Sequence, residues 1–273
     1  MPVCEWPDNA TSAAALSFDV DAESVWLAMD PGNADRPGVL SQARYGPLVG
    51  LPMILEVLAA KGVRATFFVP GINVSRYPDA IASIIADGHE VALHGYTHTR
   101  PSRLRPDEEQ NELDDSFAAL TEAGGAVSGY RAPGWDPSTR TLELLDAKGL
   151  LYASQFMDAI EPYRHQETRL VELPVQWILD DWPYFGWHAD APGRTIRATK
   201  EVEEIWWEEF QGIHGRGGCT VFTMHPQVSG RPARVALLER LIDRLRDERG
   251  GVWLTTCAEI AAVADAQLPR AAP

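Results

Sequence analysis

The sequence predicts an α/β fold, a distorted (β/α) barrel of seven or eight units, from three observations. Short β-like apolar runs alternate with longer stretches of helical period along the chain. Strands that alternate with helices argue for parallel pairing through βαβ crossovers. The length, 273 residues, suits one domain of that size class. An open doubly wound sheet is the runner-up. No low-complexity linker or internal repeat divides the chain, so residues 1–273 read as a single domain.

The elements follow in order. Residues 14–18 form a buried strand that ends in acidic residues, and residues 48–61 an apolar-striped helix. Residues 65–69 (Ala-Thr-Phe-Phe-Val) are a strand closed by Pro70-Gly71, and 78–87 a helix stopped by Gly88. Residues 90–93 are a short strand. Residues 106–123 are a helix with Pro106 at its start and Gly124-Gly125 after its end. Strand 129–131, helix 138–148 and strands 151–154 and 170–174 come next. A Trp-bearing helix spans 198–210, where Trp206 and Trp207 belong to the core or to a subunit interface. Strand 219–224, amphipathic helix 233–249, strand 252–254 and a last helix over 257–264 complete the chain. Residues 26–46, rich in Gly, Pro, Asn and Asp, read as a long loop of the kind that forms lids or interface arms.

Charge narrows the function. With 24 basic and 39 acidic side chains the formal net charge is −15, a field that repels phosphates and argues against nucleic acid and anionic membranes as partners. It disfavours a polyanionic substrate unless a local basic pocket opposes it, and fits a neutral amide better than a charged polymer. No apolar run approaches the roughly 18 residues of a membrane span. The N-terminus carries acidic residues where a secretory signal has basic ones, so the expected location is cytoplasmic. Cys4, Cys219 and Cys257 stand apart, which predicts buried reduced thiols.

In a barrel the active site lies at the C-terminal ends of the strands. The polar residues there are Asp19 and Asp21, His94 and His98, Arg131, Asp180 and Asp181, and His225. Asp19 and Asp21 alternate along an extended backbone, so both carboxylates share a face. His94 and His98 are spaced for one side of a helical turn, a common arrangement for two ligands of one metal. With an Asp from another strand end they make a two-His, one-carboxylate set, suited to Zn²⁺ as Lewis acid or to non-haem Fe²⁺. Arg131 is placed to keep a catalytic carboxylate ionised, and Gly134 to offer a backbone N–H to an oxyanion. His225 suits a general acid if Asp180 or Asp181 holds its other nitrogen. Trp135, Trp177, Trp182, Tyr184, Phe185 and Trp187 supply an aromatic wall for substrate, or a packed loop layer.

These residues, taken in order, resemble the polysaccharide deacetylase family, the NodB-homology or carbohydrate esterase family 4 group. Ser17-Phe-Asp19-Val-Asp21 resembles the first motif, His94-Gly-Tyr-Thr-His98 the second, and Arg131-Ala-Pro-Gly134-Trp135 the third. Asp180-Asp181-Trp182 resembles the fourth and Thr223-Met-His225 the fifth, so the motifs lie within residues 17–225. The resemblance implies a metal-dependent hydrolase of amide bonds. Asp19 would be the general base, Asp21 the ligand that joins His94 and His98, Arg131 the group that orients Asp19, and His225 the general acid. The implied cofactor is a divalent metal, Zn²⁺ first and Co²⁺ or another ion as alternatives. The substrate would be a glycan or small-molecule amide and the protein a homo-oligomer.

Two departures mark a divergent subgroup. One residue is inserted between the acids of the first motif, and His225 is followed by Pro-Gln-Val-Ser-Gly-Arg-Pro. Both features resemble a subgroup in which peptidoglycan-deacetylase-like proteins sit beside hydrolases of cyclic imides and allantoin-like ureides. A cytoplasmic amidohydrolase of small cyclic imides or ureides is therefore the alternative expectation.

Overall fold

A computed structural model describes residues 4–188 and 195–269. Its strands are β1 (Ser12–Asp19), β2 (Thr66–Val69), β3 (Glu90–Leu93), β4 (Gly129–Tyr130), β5 (Tyr152–Ala153), β6 (Tyr163–Arg164), β7 (Val171–Glu172), β8 (Cys219–Met224) and β9 (Val252–Leu254). The helices are α1 (Glu23–Met29), α2 (Pro37–Tyr45), α3 (Leu51–Lys61), α4 (Ile72–Arg76), α5 (Pro78–Ala86) and α6 (Pro106–Glu122), followed by α7 (Thr141–Ala147) and α8 (Trp182–Phe185). The last four are α9 (Thr199–His214), α10 (Pro226–Ser229), α11 (Pro232–Asp247) and α12 (Cys257–Gln267).

The strands form one curled sheet in the order β6-β7-β5-β4-β3-β2-β1-β8. β9 pairs with Ser12–Ala14 of β1, below the Ser17–Asp19 stretch that pairs with β2. Every pairing is parallel except β6 with β7. Between β7 and β8 a single parallel bridge, Asp180 to Thr223, stands where a closed barrel would have a ladder. The result is the expected distorted (β/α) barrel. The antiparallel β6 is an addition, a two-residue stretch too short to show in the hydrophobic period.

Alternation along the strands builds the site. On β1, Leu16 and Phe18 face the helical layer, where Phe18 stacks on Phe67 at 5.0 Å. Ala13 and Ala15 face the barrel interior with Phe68, Ala92 and Val221. Small residues belong there, since the interior of a narrow barrel must be filled without overpacking. Continued upward, the same period brings Ser17, Asp19 and Asp21 inward from β1, His94 after Ala92, and Thr223 and His225 after Val221. Gly129 on β4 is obligatory, because a Cβ there would lie 2.0 Å from the Tyr152 ring.

The stretch 26–46 corrects the expected long loop. It contains the end of α1, a 3₁₀ turn (Pro31–Asp35) and α2. The residues that read as breakers act as punctuation instead. The Asp30 carboxylate accepts from Gly32 N–H at 2.8 Å, and Pro37 occupies the first turn of α2, where a missing N–H costs nothing. From Pro37 to Lys61 the helical run is long and apolar enough by composition to cross a membrane. Leu51, Ile54 and Leu58 on it are buried in the core, as in an ordinary interior helix. Trp206 is also core and fully buried, while Trp207 lies half-buried under Arg244. Cys4, Cys219 and Cys257 are free and buried, as expected.

Candidate active site

The site forms where β1, β3, β4 and β8 end. Asp19 is the last residue of β1, and His94, Arg131 and His225 each follow directly on a strand. Asn73 on α4 donates through Nδ2 to the carbonyls of Val20 and Asp21 at 2.8 and 2.9 Å, which pins the turn after β1.

Arg131 connects two halves of the site. Its guanidinium is fully buried and stacks 4.0 Å above the Phe68 ring. Nη1 donates to Ser17 Oγ at 2.9 Å and to Asp19 Oδ1 at 2.7 Å. Nε and Nη2 donate to the Ser154 carbonyl and hydroxyl, each at 3.1 Å. Burial alone would raise the Asp19 pKa, but Arg131, with His94 and His225, reverses that and holds the carboxyl below its ordinary value. The Arg131 carbonyl lies 2.7 Å from His94 Nδ1, which places the hydrogen on Nδ1 and leaves Nε2 as a free lone pair.

That lone pair faces Asp21. His94 Nε2 is 3.5 Å and His98 Nε2 3.4 Å from Asp21 Oδ1. Asp21 Oδ1 is buried and accepts no hydrogen bond. An unpaired buried carboxylate oxygen between two imidazole nitrogens is costly for the protein alone, and is what a cation would relieve. The three donor atoms lie within 4.8 Å of one another. Two nitrogens and one oxygen fit a divalent metal with open positions left over. Burial, together with Asp19, Asp180 and Asp181, raises the Asp21 pKa well above its usual value, although His225 opposes them. Burial lowers His94 to about 4 and His98 well below the ordinary histidine range, so both are neutral donors at pH 7.

The two histidines are not on a helical turn, which corrects the expectation. Gly95 and His98 both have left-handed φ, +68° and +67°. The loop is held by Glu112 on α6, whose carboxylate accepts from Tyr96 N–H (2.7 Å), Thr97 N–H (2.8 Å) and the Thr97 hydroxyl (2.6 Å). The rings end 4.9 Å apart at 70°.

On the far side, His225 Nδ1 lies 2.6 Å from Asp181 Oδ1, and Asp181 Oδ2 accepts from His225 N–H (2.9 Å) and Ser229 Oγ (2.5 Å). Asp180 is 4.0 Å from the same ring and instead accepts from Trp182 N–H at 2.6 Å. Asp181 is therefore the residue that holds His225. Burial would lower the His225 pKa, but Asp181 overcomes it and raises the group well above the ordinary value. Asp180 is pushed up to about 7, first by burial and then by Asp181, against the pull of His225.

Asp19, Asp21, His94, His98, Asp180 and His225 line a cavity of about 340 Å³, and Arg131 and Asp181 lie behind its wall. Trp135, Trp177, Trp182 and Gly134 belong to its walls, with Val25, Ala28 and Met29 from α1. Trp135 and Trp177 stack at 4.1 Å, and Trp182 meets the His225 ring edge-on at 5.2 Å. Tyr184, Phe185 and Trp187, expected in the same wall, lie outside it. Asn73, Glu112, Ser154 and Ser229 also hold the site together and are not marked by any motif. Of these only Ser229, within the singled-out run after His225, carried a local signal.

The family model for polysaccharide deacetylase matches residues 20–153. A peptidoglycan deacetylase of Helicobacter pylori is 29% identical over 271 residues, covering 88% of this chain and 92% of the relative. A solved structure from Mycobacterium smegmatis, described as belonging to the polysaccharide deacetylases, is 40% identical with a TM-score of 0.94 and covers 100% of this chain and 98% of that one. An allantoinase structure superposes with a TM-score of 0.84 over 96% of this chain and 93% of its own, but at 20% identity it shares the fold alone. It does not favour the cyclic-imide alternative. The chain belongs to the polysaccharide deacetylase (NodB-homology, carbohydrate esterase family 4) family and is a deacetylase-type hydrolase of carbon–nitrogen bonds other than peptide bonds.

Proposed function

We propose that the protein removes acetyl groups from N-acetylated amino sugars, with Asp19 as general base, His225 as general acid, and Asp21, His94 and His98 as the residues that would hold a Zn²⁺. The observation that carries this reading is the pair of buried relays that flank the triad, Arg131 with Asp19 and Asp181 with His225. A bound zinc supplies Lewis acidity, which polarises the acetyl carbonyl and makes water a better nucleophile.

The chain's own groups divide the remaining work. Trp135, Trp177 and Trp182 seat the sugar ring and shield the site from bulk solvent, leaving room for the attacking water. Asp19, kept ionised by Arg131, takes the proton from the attacking water through the oxygen that Arg131 leaves open. Gly134, in a left-handed turn at the wall, offers its backbone N–H to the oxyanion. His225 carries its Nδ1 hydrogen toward Asp181 and delivers the Nε2 proton to the departing amine. Arg131 and Asp181 touch no substrate and act by positioning. The glycan class rests on two relatives, a peptidoglycan deacetylase and a Colletotrichum chitin deacetylase.

The test is acetate release. Zinc-loaded protein incubated with N-acetylchitooligosaccharides, peptidoglycan fragments and a panel of cyclic imides should release acetate from a glycan and leave the imides intact. Imide turnover with every glycan inert overturns the reading.

A further inference from the structure

We propose, resting on the deacetylase reading above, that the preferred substrate carries a carboxylate as well as the acetamide, and that Arg103, assisted by Arg100, selects it. The chain bears a net charge of −15, and Asp19, Asp21 and Asp180 line its cavity. Yet Arg100 and Arg103 line the same cavity, around the short 3₁₀ turn Pro101–Arg103.

Neither arginine pairs with those carboxylates. Asp19 has Arg131 at 2.7 Å, Asp21 faces the neutral His94 and His98, and Asp180 accepts from Trp182 N–H at 2.6 Å. Nor is either one tied up elsewhere. Among the described residues the Arg103 guanidinium has no hydrogen bond or ion pair, whereas nearby Arg105 pairs with Glu108 at 2.8 Å. Arg100 approaches Asp136 only at 3.8 Å, and the same Asp136 oxygen accepts from Ser102 at 2.7 Å. The backbone makes room for Arg100, since a Cβ on Gly134 would sit 2.8 Å from Arg100 Nε.

Two guanidiniums beside a cavity in an acidic protein form the local basic pocket that the global charge would otherwise forbid for an anionic substrate. Their planar donor forks match a carboxylate. The ligand class is an N-acetylated amino sugar with a carboxylate substituent, such as a lactyl ether.

The experiment compares glycan fragments of equal length that contain N-acetylmuramic acid or only N-acetylglucosamine, by acetate release and by calorimetric binding. The zinc-loaded wild type should favour the acid by about tenfold or more in kcat/KM, the factor of one charge-assisted hydrogen bond. Arg103→Gln should cut that preference to about twofold, through KM. Arg105→Gln, outside the cavity, should keep it. A wild-type ratio near one, or an Arg103→Gln loss equal for both fragments, overturns the proposal. If neither fragment is deacetylated, the deacetylase reading falls and binding decides: an Arg103-dependent preference for the acid upholds the carboxylate, and its absence overturns it.

Discussion

Replacing Asp181 with Asn removes one charge and leaves the shape of the site nearly unchanged. The Asp181 carboxylate sits 2.6 Å from His225 Nδ1 and accepts from His225 N–H and Ser229 as well. Opposite charges about 4 Å apart interact by about 4 kcal/mol at an effective dielectric of about 20, which corresponds to roughly a thousandfold in proton affinity. Without that attraction, burial, which lowers the His225 pKa, is opposed only by the weaker pull of Asp180 and Asp21. In the wild type Asp181 holds the His225 pKa above the ordinary imidazole value, so the acid form persists to higher pH and is lost as pH rises through the raised pKa. In Asp181→Asn the alkaline limb of the kcat/KM profile should move to lower pH, and kcat at pH 8 should fall by about 10²–10³, within the range for loss of general acid catalysis. Aryl acetates, whose leaving groups need no proton, should lose far less. A variant with an unmoved alkaline limb, or with equal losses on amide and aryl acetate, would rule out His225 as the Asp181-supported proton donor.

Other outcomes follow from the same contacts. Asp19→Asn should retain its metal by elemental analysis while kcat drops by about 10² or more; near-normal turnover contradicts the base assignment. Arg131→Met leaves a buried carboxylate unpaired and should lower unfolding stability by about 3–5 kcal/mol in urea titrations. The Asp19 pKa should then rise, shifting the acid limb of kcat/KM to higher pH. Because Asp21 is held above its usual pKa in the protein alone, metal binding should release protons, in an amount that grows as the pH is lowered, read by calorimetry in buffers of different ionisation enthalpy. Zero release would mean that Asp21 is already ionised.

Much of this site was legible because the strands that build it follow the rule of two. Ser17, Asp19 and Asp21 share the inward parity of Ala13 and Ala15, and His225 shares that of Val221. β3, β8 and β9 fall within the expected limits because short apolar runs bounded by polar residues leave little freedom. The conformation of the His94–His98 loop was not legible. It depends on Glu112, distant in sequence, and on a left-handed φ at His98 that local spacing does not encode. The choice between Asp180 and Asp181 was equally hidden. Both carboxylates follow the same 3₁₀ turn, Trp177–Leu179, where Asp180 bridges to Thr223 and Asp181 is the one that turns toward His225. In residues 26–46, Gly, Pro and Asn read as loop signals. Proline at a first turn and aspartate at a cap serve helices just as well, and only packing against the site tells the two apart.

Metal binding by Asp21, His94 and His98, and the dependence of deacetylation on it, can be read in one titration. Zn²⁺ is added to metal-free protein while acetate release from N-acetylated glycan is followed. Activity should climb to a plateau at one equivalent per chain, and Asp21→Ala and His94→Ala should stay flat at every ratio. Full activity without metal, or an unchanged titration in Asp21→Ala, would contradict that assignment.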